Sequence, residues 1–200
     1  MFTICVDSGR IVLGSDNMKR NLSFQLAGCA LFAALTAAAA QFSLPVGPIP
    51  VSLATFAVYL AGAVLGAKDG AASQAVYLLL GAAGLPVFAG FRGGAQALFG
   101  PTGGYLAGYV VCAWIIGALG RKGGRAPRPL PLAASMLLGT AALYALGTCW
   151  FLFLTKRGLW ESLALCVFPF LAGDAAKIAV CALAVPRLVK ACGRVSAGAS

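Results

Sequence analysis

Histidine is absent from this 200-residue chain, and only five Asp plus Glu stand against fifteen Lys plus Arg. Without imidazole, the commonest general base, the Ser–His and Cys–His nucleophile pairs and every His-containing zinc site are excluded. Charged residues make up 10% of the chain and hydrophobic residues 60%, with a mean hydropathy of +0.91. That leaves too little polar surface to cover a water-soluble globule, so a lipid bilayer is the expected solvent. The seven cysteines (Cys5, Cys29, Cys112, Cys149, Cys166, Cys181 and Cys192) form no C-x-x-C pair. Most lie in apolar runs, where a thiol packs as a small hydrophobe, and no metal or redox site is expected from them. A net charge of +10 in so apolar a chain reads as loop charge facing an anionic leaflet, not as a nucleic-acid footprint. No cleavable signal peptide is expected, because the first long apolar run is itself of span length.

Six apolar runs, broken by Gly, Pro and charge, cover residues 22–41, 51–67, 70–84, 104–120, 131–154 and 166–188. They predict an all-α membrane protein, a compact bundle of six transmembrane helices. The second and third runs are short for a bilayer, which local thinning can accommodate. Residues 1–21 are expected as a poorly ordered cytoplasmic lead, 22–190 as the bundle and 191–200 as a cytoplasmic tail. Met18-Lys19-Arg20-Asn21-Leu22 reads like the start of a bacterial membrane protein, so translation from Met18 or from Met1 stays open. Basic residues favour cytoplasmic loops. With the N-terminus inside, inner segments hold eleven of them (Arg10, Lys19, Arg20, Lys68, Arg121, Lys122, Arg125, Arg128, Arg187, Lys190 and Arg194), and outer loops three (Arg92, Lys156 and Arg157). This asymmetry predicts an even number of spans with both termini cytoplasmic.

One basic residue, Lys177, falls inside the last run, three positions after Asp174. On a helix the two share a face and partly neutralise each other. Ionisable groups inside a span are costly and mark function by default. The plainer readings are a buried pair that only specifies packing, or a lysine that snorkels to an interface. Two outer connections stand out. Phe42-Ser43-Leu44-Pro45-Val46-Gly47-Pro48-Ile49-Pro50 is charge-free and stiffened by three prolines, as a lid or a simple tight connector would be. The stretch from Gly84 to Phe99, running into Gly100-Pro101-Thr102-Gly103-Gly104-Tyr105, is too long and too apolar for a mere spacer. Its glycines allow backbone amides to approach a ligand, and a helix starting near Thr102 or Gly103 points N–H donors outward. Phe88 and Tyr105 offer apolar faces there, and Arg92 a charge. In the first span, Ala30, Ala34 and Ala38, and likewise Ala33 and Ala37, recur every four residues. Such a smooth face suits close helix approach, within the bundle or from a partner subunit.

Gly100-Pro101-Thr102-Gly103-Gly104-Tyr105-Leu106, preceded by Gly84-Leu85-Pro86-Val87-Phe88-Ala89-Gly90 and followed by Pro169-Phe170 and Gly173-Asp174-x-x-Lys177, resembles the BioY family from about Ala30 to about Leu188. That family supplies the biotin-binding S component of energy-coupling factor (ECF) transporters. The resemblance implies a six-helix substrate-binding subunit that captures biotin from outside, under the loops after the first and third helices. It implies as partners a transmembrane coupling subunit and two cytoplasmic ATPases, with the alanine face of the first helix as the docking surface. ATP would bind those partners; no cofactor and no enzymatic activity are expected of this chain. For the ligand, Lys177, helped by Arg92 or the amides at Thr102 to Gly104, would pair with the carboxylate while Asp174 accepts ureido N–H groups. The reverse orientation stays open, and Tyr105 and Phe88 would cover the apolar body. One departure stands out: where the family commonly has Thr-Leu-Gln, this chain reads Ser52-Leu53-Ala54. Thr55 or Gln96 are the available polar replacements. Three other readings remain: an S component for another vitamin, a membrane enzyme using Asp174 and Lys177, and a purely structural subunit.

Overall fold

The computed structural model describes residues 6–7, 10–11, 15–44, 50–120, 128–156, 158, 160, 162–163 and 168–197. Among them are seven helices: α1 Ser15–Gln41, α2 Ala54–Leu65, α3 Ala67–Ala82, α4 Ala95–Phe99, α5 Gly103–Gly120, α6 Pro129–Thr155 and α7 Phe168–Ala197. Two-residue strands pair antiparallel at Val6–Asp7 with Arg10–Ile11, and at Ser43–Leu44 with Val51–Ser52.

The helix ends follow local chemistry. Pro129 opens α6 after an extended Arg128, a position where its missing N–H costs nothing. At the other end Lys156 turns left-handed (φ 54°) and donates its N–H to the Leu152 carbonyl, closing the helix as a left-handed cap does. Gly66 (φ 91°) is the sole residue between α2 and α3. The six longer helices coincide with the six apolar runs, with the largest departures at the start of the first and the end of the last. Helix α1 begins at Ser15, inside the expected disordered lead, because Ser15-Asp16-Asn17 are residues that start helices well. Helix α7 runs through Pro186 to Ala197, into the expected tail. The long third connection contains the short helix α4. The prolines of the first connection, Pro45 and Pro48, and the basic loop from Arg121 to Arg125 lie outside the described residues.

Helices α2 and α5 form the centre of the bundle. Helix α5 packs on α2, α3 and α6; α2 packs on α1, α3, α5 and α7; α7 packs chiefly on α2 and α6. The core between them is apolar and tight: Val58, Cys112, Ile116, Leu132, Met136, Leu143, Cys181 and Val185 are buried. Of the cysteines with described side chains, Cys29, Cys112 and Cys181 are buried and Cys149 is exposed. Polar groups in this core bond to one another. The Tyr59 and Thr140 hydroxyls lie 2.7 Å apart, and Gln74 donates to Thr36 Oγ1 at 3.2 Å. In apolar surroundings such partners offset a desolvation cost of several kcal/mol, on the order of 2–7.

The outside of the bundle is as apolar as the inside. Leu31, Leu79, Trp114, Leu130, Leu137, Leu138, Phe153, Val180 and Leu183 are all exposed. Helices α5 and α6 are long and apolar enough to cross a membrane. Such a belt is far larger than a soluble monomer exposes and is what lipid contact requires.

Helix α5 closely approaches the α2–α3 junction at Gly117, where an added Cβ would collide with the Gly66–Ala67 backbone. A Gly117→Leu variant is expected to lose about 2 kcal/mol by overpacking. The check is the thermal unfolding midpoint in detergent, against Gly158→Ala, where a Cβ meets nothing within 4 Å.

Candidate functional site

The up-and-down order of the helices returns the C-terminal ends of α1, α3 and α6 and the N-terminal ends of α2, α5 and α7 to one end of the bundle. Two cavities open there. The first is walled by Ala40, Ala54, Tyr77, Phe88, Ala89, Ala97, Thr102, Tyr105, Leu106 and Tyr109, with Arg92 among its residues. The second is walled by Thr55, Leu143, Tyr144, Phe170, Asp174 and Lys177. Pro50, Ser52, Tyr105 and Tyr109 belong to both walls. An aromatic chamber thus adjoins a charged one.

The charged chamber is built around one ion pair. Lys177 Nζ lies 2.9 Å from Asp174 Oδ1, one helical turn away on α7. Two further acceptors complete its donor set: the Ser52 carbonyl at 2.8 Å and Thr55 Oγ1 at 2.9 Å. Asp174 Oδ1 also accepts from Thr55 at 3.2 Å, and Oδ2 accepts from the Tyr144 hydroxyl at 2.6 Å. Asp174 is 3% exposed. A carboxylate that far from water survives as a charge only because the ammonium and two hydroxyls face it. The lysine does not snorkel to a surface; its head is held inward.

The aromatic chamber is roofed by the connection between α3 and α5. Phe88 is inserted under the roof, with its ring edge-on to Tyr77 at 5.5 Å, and Phe88 and Arg92 pair their backbones. At the downstream end of the roof, Trp150 of α6 donates to the Gly100 carbonyl at 2.9 Å. Tyr105 is buried and its hydroxyl lies 3.3 Å from Thr148 Oγ1.

The structure sorts the candidate residues. Asp174, Lys177, Tyr105, Phe88, Thr102 and Arg92 line the two cavities. Gly103 and Gly104 do not. Added Cβ atoms there would collide with the Leu98 carbonyl and with Trp150, so these glycines serve the close approach of α5 to α4 and α6. The Gly103 N–H is also taken by the Gly100 carbonyl, and the Tyr105 and Leu106 N–H groups by the Thr102 carbonyl. These first-turn amides are therefore engaged internally. Gln96 lines neither cavity; it is exposed and borders an open depression with Phe91, Arg92, Gly93 and Ala97. Of the two replacements for the missing glutamine, Thr55 is in the site and Gln96 is outside it; Ala54 itself is buried in the aromatic wall.

The alanine face of α1 divides. Ala33 is buried and Ala37 half-buried in the bundle, while Ala30, Ala34 and Ala38 are exposed. The inner row therefore packs within the bundle, and the outer row lies on its surface.

Several site residues carried no signal of their own. The Ser52 carbonyl is a backbone group, and Tyr77, Tyr109 and Tyr144 sit in ordinary apolar runs. One available signal lies in the tyrosines together: four of the five in the chain line these cavities. Phenol hydroxyls within a bundle need partners, so they gather where polar groups already are.

Comparison with known proteins places this architecture. The family model described as the BioY family matches residues 16–194. The biotin transporter BioY of Thermotoga maritima is 42% identical over 166 residues, spanning 83% of this chain and 96% of its own length. The probable biotin transporter BioY of Pyrococcus horikoshii is 40% identical over 159 residues, covering 80% and 92%. Among solved structures, a 2.1 Å crystal structure of the S-component for biotin from an ECF-type ABC transporter superposes with a TM-score of 0.78 at 27% identity, covering 90% of this chain and 95% of that one. The chain belongs to the BioY family.

Proposed function

We propose that this chain is the biotin-capturing S component of an ECF-type uptake transporter, a multi-pass membrane protein and not an enzyme. In this reading the six longer helices cross the bilayer with both termini on the cytoplasmic side. The site then opens to the outside, as the distribution of basic residues requires. At 1.5 Å per residue α2 and α3 are about 18 and 24 Å long, so the bilayer thins around them or their connections reach into the headgroups. Partners are a transmembrane coupling subunit and two cytoplasmic ATPases, which supply all nucleotide chemistry. Docking falls to the exposed row Ala30, Ala34 and Ala38.

The observation that carries the reading is the junction of an aromatic chamber with a capped Asp–Lys pair. Biotin joins an apolar bicycle and chain to a neutral ureido group and a carboxylate. A ureido group both donates and accepts, and the Asp174–Lys177 pair accepts and donates at adjoining atoms. Lys177 already has three acceptors around its ammonium and its charge is balanced. Arg92, by contrast, is exposed at the aromatic chamber and forms no ion pair among the described residues. The pose this favours places the ureido group at Asp174 and Lys177, the bicycle against Tyr105, Tyr109 and Phe88, and the carboxylate at Arg92. It reverses the assignment of the carboxylate to Lys177. Nanomolar capture requires about 12 kcal/mol, drawn from buried aromatic contact and from hydrogen bonds made out of water.

Three outcomes are expected. Biotin binding to the purified chain in detergent is lost, by about a hundredfold or more, in Asp174→Asn and Lys177→Met, since each leaves a buried partner unpaired. Undiminished binding in both variants, or displacement by a different vitamin instead of biotin, overturns the site or its ligand. Arg92→Ala costs about tenfold for biotin, within the range for a lost charge-assisted bond, and almost nothing for the neutral biotin amide. Equal losses for the two ligands place the carboxylate elsewhere. Ala34→Trp leaves biotin binding intact while blocking co-purification with the coupling subunit, because a bulky side chain holds helices apart.

A further inference from the structure

The roof over the aromatic chamber is held by little. Among residues 83–94 only Phe88 is buried, while Leu85 and Phe91 are 48% and 72% exposed. The segment is bracketed by Gly84 (φ 101°) and Gly94 (φ 90°). An added Cβ would find nothing within 4 Å at the first and only the Gln96 side chain, 3.8 Å away, at the second. Left-handed glycines in open space are sites where a flap can turn, and segments with few buried contacts open at low cost.

Against this, Tyr77 of α3 donates its hydroxyl to the Val87 carbonyl at 3.3 Å, and a second side chain reaches in from α1. Gln41, the last residue of α1, directs its amide Nε2 at the carbonyls of Val87 (3.2 Å), Phe88 (3.3 Å) and Pro86 (3.5 Å) in the flap, as well as at the Ala37 carbonyl of its own helix (3.2 Å). Its Oε1 accepts the Phe91 N–H at 3.0 Å. Phe91 stands at φ 56°, a left-handed conformation that an L side chain disfavours and that its surroundings must hold. One amide therefore satisfies both strands of the tight Phe88–Arg92 turn, the turn that inserts Phe88 and presents Arg92. Gln41 itself lines neither cavity.

We propose that Gln41 is the latch of this flap: a positioning residue that holds Phe88 and Arg92 over the chamber and so sets how fast a bound ligand escapes. The inference rests on the biotin reading above only for its ligand. The complementarity is specific, because a donor and an acceptor at that length are both needed.

The test compares the full-length wild-type chain in detergent with Gln41→Met, which keeps the length but makes no hydrogen bonds. Gln41→Glu, which keeps an acceptor for Phe91 but turns a carboxylate toward two carbonyls, is the second variant. Hydrogen exchange over residues 85–93 is read first, without ligand. Dissociation of radiolabelled biotin after an excess cold chase is read second. In both variants exchange over Val87–Phe91 is expected to accelerate, most at the Phe91 amide in Gln41→Met. Dissociation quickens about tenfold, the equivalent of one lost hydrogen bond, with the association rate within about threefold and the unfolding midpoint unchanged. A general loosening of the bundle would instead lower that midpoint and the number of binding sites, which overturns a latch. So does exchange within about twofold of wild type in both variants. If the wild-type chain binds no biotin, the ligand reading fails by itself, and the exchange measurement still decides the latch.

Discussion

Two opposite charges inside an apolar bundle persist only together, and the Lys177–Asp174 contact at 2.9 Å is the constraint around which this end of the molecule is arranged. A pair on one helix satisfies only part of its own hydrogen-bonding capacity. The remainder comes from the start of α2, through the Ser52 carbonyl and Thr55, and from α6, through Tyr144. Helix α7 accordingly packs against α2 and α6. The interaction that makes the charges tolerable thereby also fixes the geometry of a polar ligand site.

The topology supplies the rest of the wall. Successive antiparallel helices bring six helix ends to one end of the bundle, where the connections between them have no neighbouring helix to cover them. Buried loops need their backbone groups satisfied from elsewhere. Here side chains from α1 and α6 do this for the roof: Gln41 at the Val87, Phe88 and Phe91 backbone, and Trp150 at the Gly100 carbonyl. Phe88 then fills the space between Tyr77 and Gly81, where the glycine leaves room for the ring. The same residues that close the fold at this end make it concave.

Helix α1 shows how one element is divided between roles. With 3.6 residues per turn, Ala33, Thr36 and Ala40 face the bundle, while Ala30, Ala34 and Ala38 face out beside Leu31 and Leu35. The inner row brings α1 close enough to α3 for Thr36 to bond Gln74. The outer row leaves a shallow strip in an otherwise leucine-rich surface.

The apolar runs and the scarcity of charge determined, without coordinates, that this is a helical membrane protein, and the absence of histidine removed the chemistries that need imidazole. The three-residue spacing determined that Asp174 and Lys177 share a face, because that much is a property of any helix. The sequence could not separate the small residues that pack from those that bind. Gly103 and Gly104 turned toward Trp150, Gln96 turned out, and Tyr144 and the Ser52 carbonyl turned in. The reason is physical: in lipid the outer face of a helix is as apolar as the inner one, so hydrophobic periodicity, which sorts inside from outside in a soluble protein, carries little orientation here. Only the packing of α2, α5, α6 and α7 against one another decided which hydroxyls and carbonyls meet the ion pair.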